Sequence, residues 1–237
     1  MANDIVDLHE FYGTSLGQMA RRLIRRRLRR IWPSVAGERV LGLGYVSPYL
    51  RPFLDEAERV ISIMPAPQGV MRWPESGPNL VALADDAELP LPDLSFGRVL
   101  LAHALEHSEQ VRPMLREIWR IMADGGRLLV VVPNRRGIWA RLDRTPFGQG
   151  LPYTVSQLSL VLRDNMFTPI QSASALFMPP TKSRLLLAWA PAWEGVGERR
   201  FETFAGVIMI EATKQIYAGA LARGERKRKR LYLPVPG

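Results

Sequence analysis

The residues of this chain whose types and spacing could do chemistry fall in three places. The first is Arg39-Val-Leu-Gly-Leu-Gly-Tyr-Val-Ser-Pro-Tyr-Leu50, which reads as an apolar strand, a tight turn at Gly42 and Gly44, and a helix start. Open α/β sheets hold a nucleotide-like ligand with that geometry, at the carboxyl end of the first strand. The second is Asp85-Asp86, just past the apolar run Leu80–Leu83. An acid there can accept from a ligand amine, and it can equally be ordinary turn chemistry. The third is His103 and His107, which follow the run Gly97–Ala102. His103, at the end of that run, is the better placed to take a proton from a nucleophile. His107 can simply satisfy backbone or face solvent.

Composition removes other chemistries. There is no cysteine, so disulfides and thiolate nucleophiles are excluded. His9, His103 and His107 are too few and too scattered to predict a metal site. The first residues are acidic and lack a signal-peptide core, and no run approaches the roughly 20 apolar residues that a membrane span needs. A soluble, cytoplasmic protein is therefore expected.

The net charge of +9 is unevenly placed. Residues 21–30 hold seven arginines and residues 223–230 hold six basic residues, which leaves 19 positive against 22 negative charges elsewhere. A nucleic acid or an anionic membrane surface would meet Arg21–Arg30 or Arg223–Arg230 rather than the body of the fold. The plainer reading is a solvated helix face and a poorly ordered tail.

Periodicity supplies the frame. Ser15 with Gln18 suggests a capping box, and Leu16, Met19, Ala20, Leu23, Ile24, Leu28 and Ile31 then recur at helical spacing until Trp32-Pro33. Strands are expected at 39–44, 58–63, 80–83, 97–102 and 127–132. Helices are expected at about 48–56, from a Ser108 cap to Gly125-Gly126, and from a Thr154/Gln157 capping box to about 164. Two further strands, 168–176 and 184–190, and a last helix over about 201–222 complete the pattern. Alternating strands and helices argue for a doubly wound α/β sheet with helices on both faces.

From residue 39 to about 190 the sequence resembles the class I S-adenosylmethionine-dependent methyltransferases, nearest to the group acting on small molecules and lipids. The resemblance rests on Asp85-Asp-Ala-Glu-Leu-Pro-Leu-Pro-Asp-Leu-Ser-Phe96, on Ala102-His-Ala-Leu-Glu-His107, and on Leu115-Arg-Glu-Ile-Trp-Arg-Ile-Met-Ala-Asp-Gly-Gly-Arg-Leu-Leu-Val130. The glycine motif is degenerate. The family's acid-x-Gly-x-Gly-x-Gly falls on Gly42, Gly44, Val46 and Pro48, so Gly44 alone of its glycines is kept, and the acid that holds the ribose falls on Met64.

The resemblance implies a Rossmann-like sheet, mostly parallel, with an antiparallel C-terminal hairpin. It implies S-adenosylmethionine as cofactor, contacted by Gly42, Gly44, Tyr45, Met64, Asp85, Asp86, Ala102 and His103, with His103 also the catalytic candidate. The loop 133–152 is the expected substrate lid, with Asn134, Arg136 and Trp139 as contacts to a small-molecule or lipid acceptor. The organisation expected is an arginine-rich helix over 1–36, a core over 37–192, a C-terminal helix over 193–222 and a basic tail over 223–237. The competing function is a catalytically inactive descendant of the fold that engages an anionic partner through its basic ends.

Overall fold

The computed structural model describes residues 4–181, 183–200 and 202–215. The tail Arg223–Arg230 and the end of the expected last helix lie outside them. Five strands run parallel: β1 (Arg39–Gly44), β2 (Arg59–Pro65), β3 (Val81–Ala84), β4 (Phe96–Ala102) and β5 (Met122–Pro133). Two more, β6 (Phe167–Ala175) and β7 (Val207–Lys214), join antiparallel, giving the order β3-β2-β1-β4-β5-β7-β6. The fold is the expected Rossmann-like one, with its antiparallel hairpin.

Side chains alternate along each strand, so the central strands feed two cores. Val40, Leu100, Leu129 and Val131 meet one apolar layer, and Leu41, Val99, Leu101 and Leu128 meet the other. On the first face lies α2 (Ser15–Ile31), with Leu23, Ile24 and Leu28 inward and Arg22, Arg26 and Arg30 outward. On the second lies α4 (Val111–Ile121), which buries Met114, Leu115, Ile118 and Ile121. Trp32, at the end of α2, donates through Nε1 to Glu211 Oε1 on β7 at 3.0 Å, which ties the N-terminal helix to the sheet.

Several expectations are corrected. A separate helix, α1 (Ile5–Gly13), precedes α2, and the cap between them is Thr14, whose Oγ1 accepts from the Gly17 amide, rather than Ser15. The helix after β1 is short: α3 (Ser47–Leu50) passes into one 3-10 turn, Arg51–Phe53. α4 starts at Val111 without a side-chain cap, because Ser108 Oγ bonds the nearer Gln110 amide. It ends at Ile121, and Gly125-Gly126 belong to β5. The Thr154/Gln157 capping box of α5 (Val155–Asp164) stands as expected.

The second strand of the hairpin is Val207–Lys214, where a helix was expected, so the core extends past residue 192. Residues 184–190, expected as a strand, begin two helices, α6 (Arg184–Ala188) and α7 (Ala190–Arg200). Leu and Ala favour helix in the first segment, and β-branched Val207, Ile208 and Ile210 favour strand in the second. Among the described residues no helix is long and apolar enough to cross a membrane.

Candidate active site

The site is built where β1 and β4 end side by side. Gly44 pairs with Ala102 in register and has φ +90°, and a Cβ there would strike the carbonyls of Ala102 and His103. Only glycine serves at that position. The chain then leaves β4 through His103, which has φ +52° and is 2% exposed. A non-glycine residue held in that region is uncommon and marks a position the surroundings over-determine.

Those surroundings are aromatic and hydrogen-bonded. Tyr12 Oη from α1 lies 2.7 Å from His103 Nε2 and also bonds Tyr49 Oη of α3. The Tyr12 ring stacks on Tyr45 at 5.7 Å. Burial raises the Tyr12 phenol well above its ordinary range, and the neighbouring Tyr49 adds to the effect, so it is a neutral hydrogen-bonding group. Behind the imidazole, His103 Nδ1 faces Glu106 Oε1 at 3.5 Å, too long to count as a good hydrogen bond. The Gln68 amide donates to the His103 carbonyl.

A cleft of about 640 Å³ opens beside this cluster, over the ends of β2, β3 and β4. Its walls include Gln68, Asp85, Asp86, Glu106, His107 and Leu151. Asp85 Oδ1 accepts from the Ala87 amide at 2.9 Å, which is turn chemistry. Burial, with the adjacent Asp85, raises the Asp86 carboxyl, and burial lowers the His107 imidazole. Gln68 Oε1, Glu106 Oε2, His103 Nδ1 and His107 Nε2 are buried without a hydrogen-bond partner. A buried polar group in that condition is one that a ligand can satisfy.

Two expected groups of residues lie elsewhere. Gly42 is covered by Val46 and Leu50, Met64 is buried with its sulfur 3.5 Å from the Met71 amide, and Tyr45 packs on Tyr12. Of the cofactor contacts expected, Asp85 and Asp86 line the cleft, while Gly42, Gly44, Tyr45, Met64, Ala102 and His103 do not. Asn134, Arg136 and Trp139 do not line it either. The Asn134 amide donates to the Thr203 and Ala205 carbonyls, Trp139 Nε1 donates to Met178, and Arg136 is exposed. From the long loop, Gly150 and Leu151 reach the cleft instead. Tyr12 and Gln68 escaped the sequence reading because both come from segments without a strong periodic signal.

His103 and His107 prove to be neighbours. With Glu106 they offer three ligand-type atoms within 4.8 Å of one another, a set that could hold one divalent cation with positions left open. His9 stands apart, 3.4 Å from the Tyr45 hydroxyl.

Residues 41–130 match the family model of a methyltransferase domain. This stretch, from β1 to the middle of β5, is similar to methyltransferase domains, and the sheet around it has the class I methyltransferase fold. Uncharacterized proteins of Mycobacterium tuberculosis and Mycobacterium bovis are 30% identical over 145 residues, which cover 58% of this chain and 48% of theirs. The chain thus spans about half the length of the curated relatives it matches. An S-adenosylmethionine-dependent methyltransferase from Thermotoga maritima is similar in structure, with a TM-score of 0.62 at 18% identity over 89% of this chain and 96% of that one. So is the 1,6-didemethyltoxoflavin-N1-methyltransferase of Burkholderia thailandensis, solved with S-adenosylhomocysteine, with a TM-score of 0.52 at 16% identity over 86% of this chain and 79% of that one.

Proposed function

We propose that the methyltransferase domain binds S-adenosylmethionine in the cleft over β2, β3 and β4 and methylates a small-molecule or lipid acceptor. The observation that carries this reading is the cleft itself. It lies at the carboxyl ends of the strands, where doubly wound sheets bind nucleotides, and its buried polar atoms await partners. That the toxoflavin enzyme holds S-adenosylhomocysteine supports the same ligand class for a similar fold.

The residues present fit the adenosyl half of that cofactor. Asp86, half-buried at the cleft wall, can accept from the adenine amine, and the free Gln68 Oε1 can accept from a further donor. The approach to Gly44 and His103 is filled by Tyr12, so a ligand that extends there must displace the phenol.

Bound, the cofactor supplies a methyl group on a sulfonium centre. The protein's share is alignment and exclusion of water. His103 Nε2 is held by Tyr12 and its Nδ1 faces Glu106, which lines the cleft; with the phenol displaced, Nε2 becomes available to take a proton from an acceptor that reaches it. The test is thermal unfolding and calorimetry with S-adenosylhomocysteine. At 100 times its dissociation constant the ligand should add about 2.7 kcal/mol, a rise of roughly 5–10 °C in Tm. The absence of both a shift and a heat of binding would sink the reading.

A further inference from the structure

The arginines of α2 are not one solvated face. Arg29 forms a two-pronged pair with Glu56, and Arg27 and Arg30 also have partners. Arg21 and Arg25 point elsewhere, into a second cleft of about 300 Å³ between α2 and the β1–α3 turn. Arg51, Ser47, Tyr45 and Trp73 are among its other walls, with Tyr12 and His9, and Glu75 is the one acid among the lining residues.

Donors in this cleft are unspent. Arg21 Nε is buried without a hydrogen-bond partner. Ser47 is 8% exposed, and its Oγ is likewise unpartnered. Arg25 donates through Nε to the Pro48 carbonyl, which fixes its guanidinium against the turn. Burial, with Arg21 and Arg51 nearby, holds Arg25 down to about 10, a sign that three like charges crowd a partly desolvated space. Three guanidiniums against one carboxylate leave two net positive charges. Such crowding costs stability unless an anion relieves it, and forked guanidiniums match oxyanions geometrically.

We propose that this cleft is a phosphoryl-binding site, taking the dianion of a phosphate monoester between Arg21, Arg25, Arg51 and Ser47. A dianion balances the net charge where a carboxylate would leave one cation over. The proposal does not rest on methyl transfer, since no residue lining this cleft lines the first, although Tyr12, which a cofactor reaching His103 would displace, stands at its edge.

The full chain, titrated with inorganic phosphate and with sulfate at constant ionic strength in chloride, should show saturable thermal stabilisation that acetate does not reproduce. Arg51→Gln and Ser47→Ala should each weaken phosphate binding, the arginine change by about tenfold or more. Arg51 is exposed, so its variant keeps the test valid if Arg25→Gln loosens the turn. Absence of saturable binding overturns the proposal. So does binding unchanged by Arg21→Gln and Arg51→Gln, which would assign it to another basic segment. Phosphatidylcholine vesicles containing phosphatidic acid distinguish the source. Capture that is lost with Arg51→Gln places the phosphoryl group on a lipid. Capture indifferent to Arg51, beside Arg51-dependent binding of inorganic phosphate, assigns the cleft to soluble esters.

Discussion

Tyr12 Oη and His103 Nε2 lie 2.7 Å apart, although 91 residues separate them in the chain. One bond thereby joins the N-terminal helix to the strained turn after β4 and closes the approach to Gly44. If the bound state requires the phenol to leave, its apparent dissociation constant is the intrinsic one divided by the open fraction. Tyr12→Ala is therefore expected to tighten S-adenosylhomocysteine binding while lowering unfolding free energy by about 3–5 kcal/mol, as loss of a buried aromatic does. Calorimetry and urea unfolding read the two effects separately. Affinity that stays level or falls would mean that Tyr12 does not obstruct the ligand.

Arg120 braces the segment that follows Asp85 and Asp86. Its guanidinium donates to the Leu89 and Leu91 carbonyls, each at 2.9 Å, and to both Glu117 oxygens. Arg120 holds the Glu117 carboxyl below its ordinary range, helped by the Leu89 amide. A carboxyl depressed in the folded state stabilises above its unfolded pKa, and that contribution is lost as the pH falls through the folded value. Arg120→Met should cost on the order of 1 kcal/mol at pH 7, the pair being partly exposed and screened. The gap from wild type should narrow as the pH drops below about 4. Urea unfolding at both pH values checks this, and a gap independent of pH refutes the assignment to Glu117.

Glu211 is buried in β7, where one oxygen accepts from Trp32 Nε1 at 3.0 Å and the other from Gln171 Nε2 at 2.7 Å. Glu211→Ala strands the Trp32 indole N–H in the core, while the exposed Gln171 amide can turn to water. The expected loss is about 2–4 kcal/mol in unfolding free energy, more than an exposed Glu→Ala change gives. Trp32→Phe removes one donor together with its bond and should cost less. Equal losses in the two variants would show that packing, and not the hydrogen bonds, sets the cost.

How far the sequence reaches is visible in these residues. The apolar runs around 39–44, 97–102 and 127–132 and the helical spacing between them are local patterns, and the doubly wound sheet could be read from their alternation. Thr154 and Gln157 lie within one turn, so their cap could be read as well. Residues 207–214 are buried on both faces, which leaves no polar side to betray the period of a strand. The position of Asp85 and Asp86 on the cleft followed from their place after a strand. Tyr12 could not be found that way. Its role comes from contacts with Tyr49 and His103, residues far off in sequence.

The glycine turn shows the same limit most sharply, and it yields the last prediction. Family resemblance puts an acid at position 42, and restoring it by Gly42→Asp would be the obvious repair. The structure argues the reverse. A Cβ at 42 would run into Val46 Cγ2 and Leu50 Cδ1, both on fully buried side chains. Overpacking costs about 1–3 kcal/mol, and an unpaired buried carboxylate adds to that. Gly42→Asp should therefore destabilise by about 3 kcal/mol or more and gain no cofactor affinity. Removing the obstruction changes the outcome: Gly42→Asp combined with Val46→Gly should lose clearly less than the sum of the two single changes, because the residues share one space. Additive losses would mean that Val46 is not what excludes the acid.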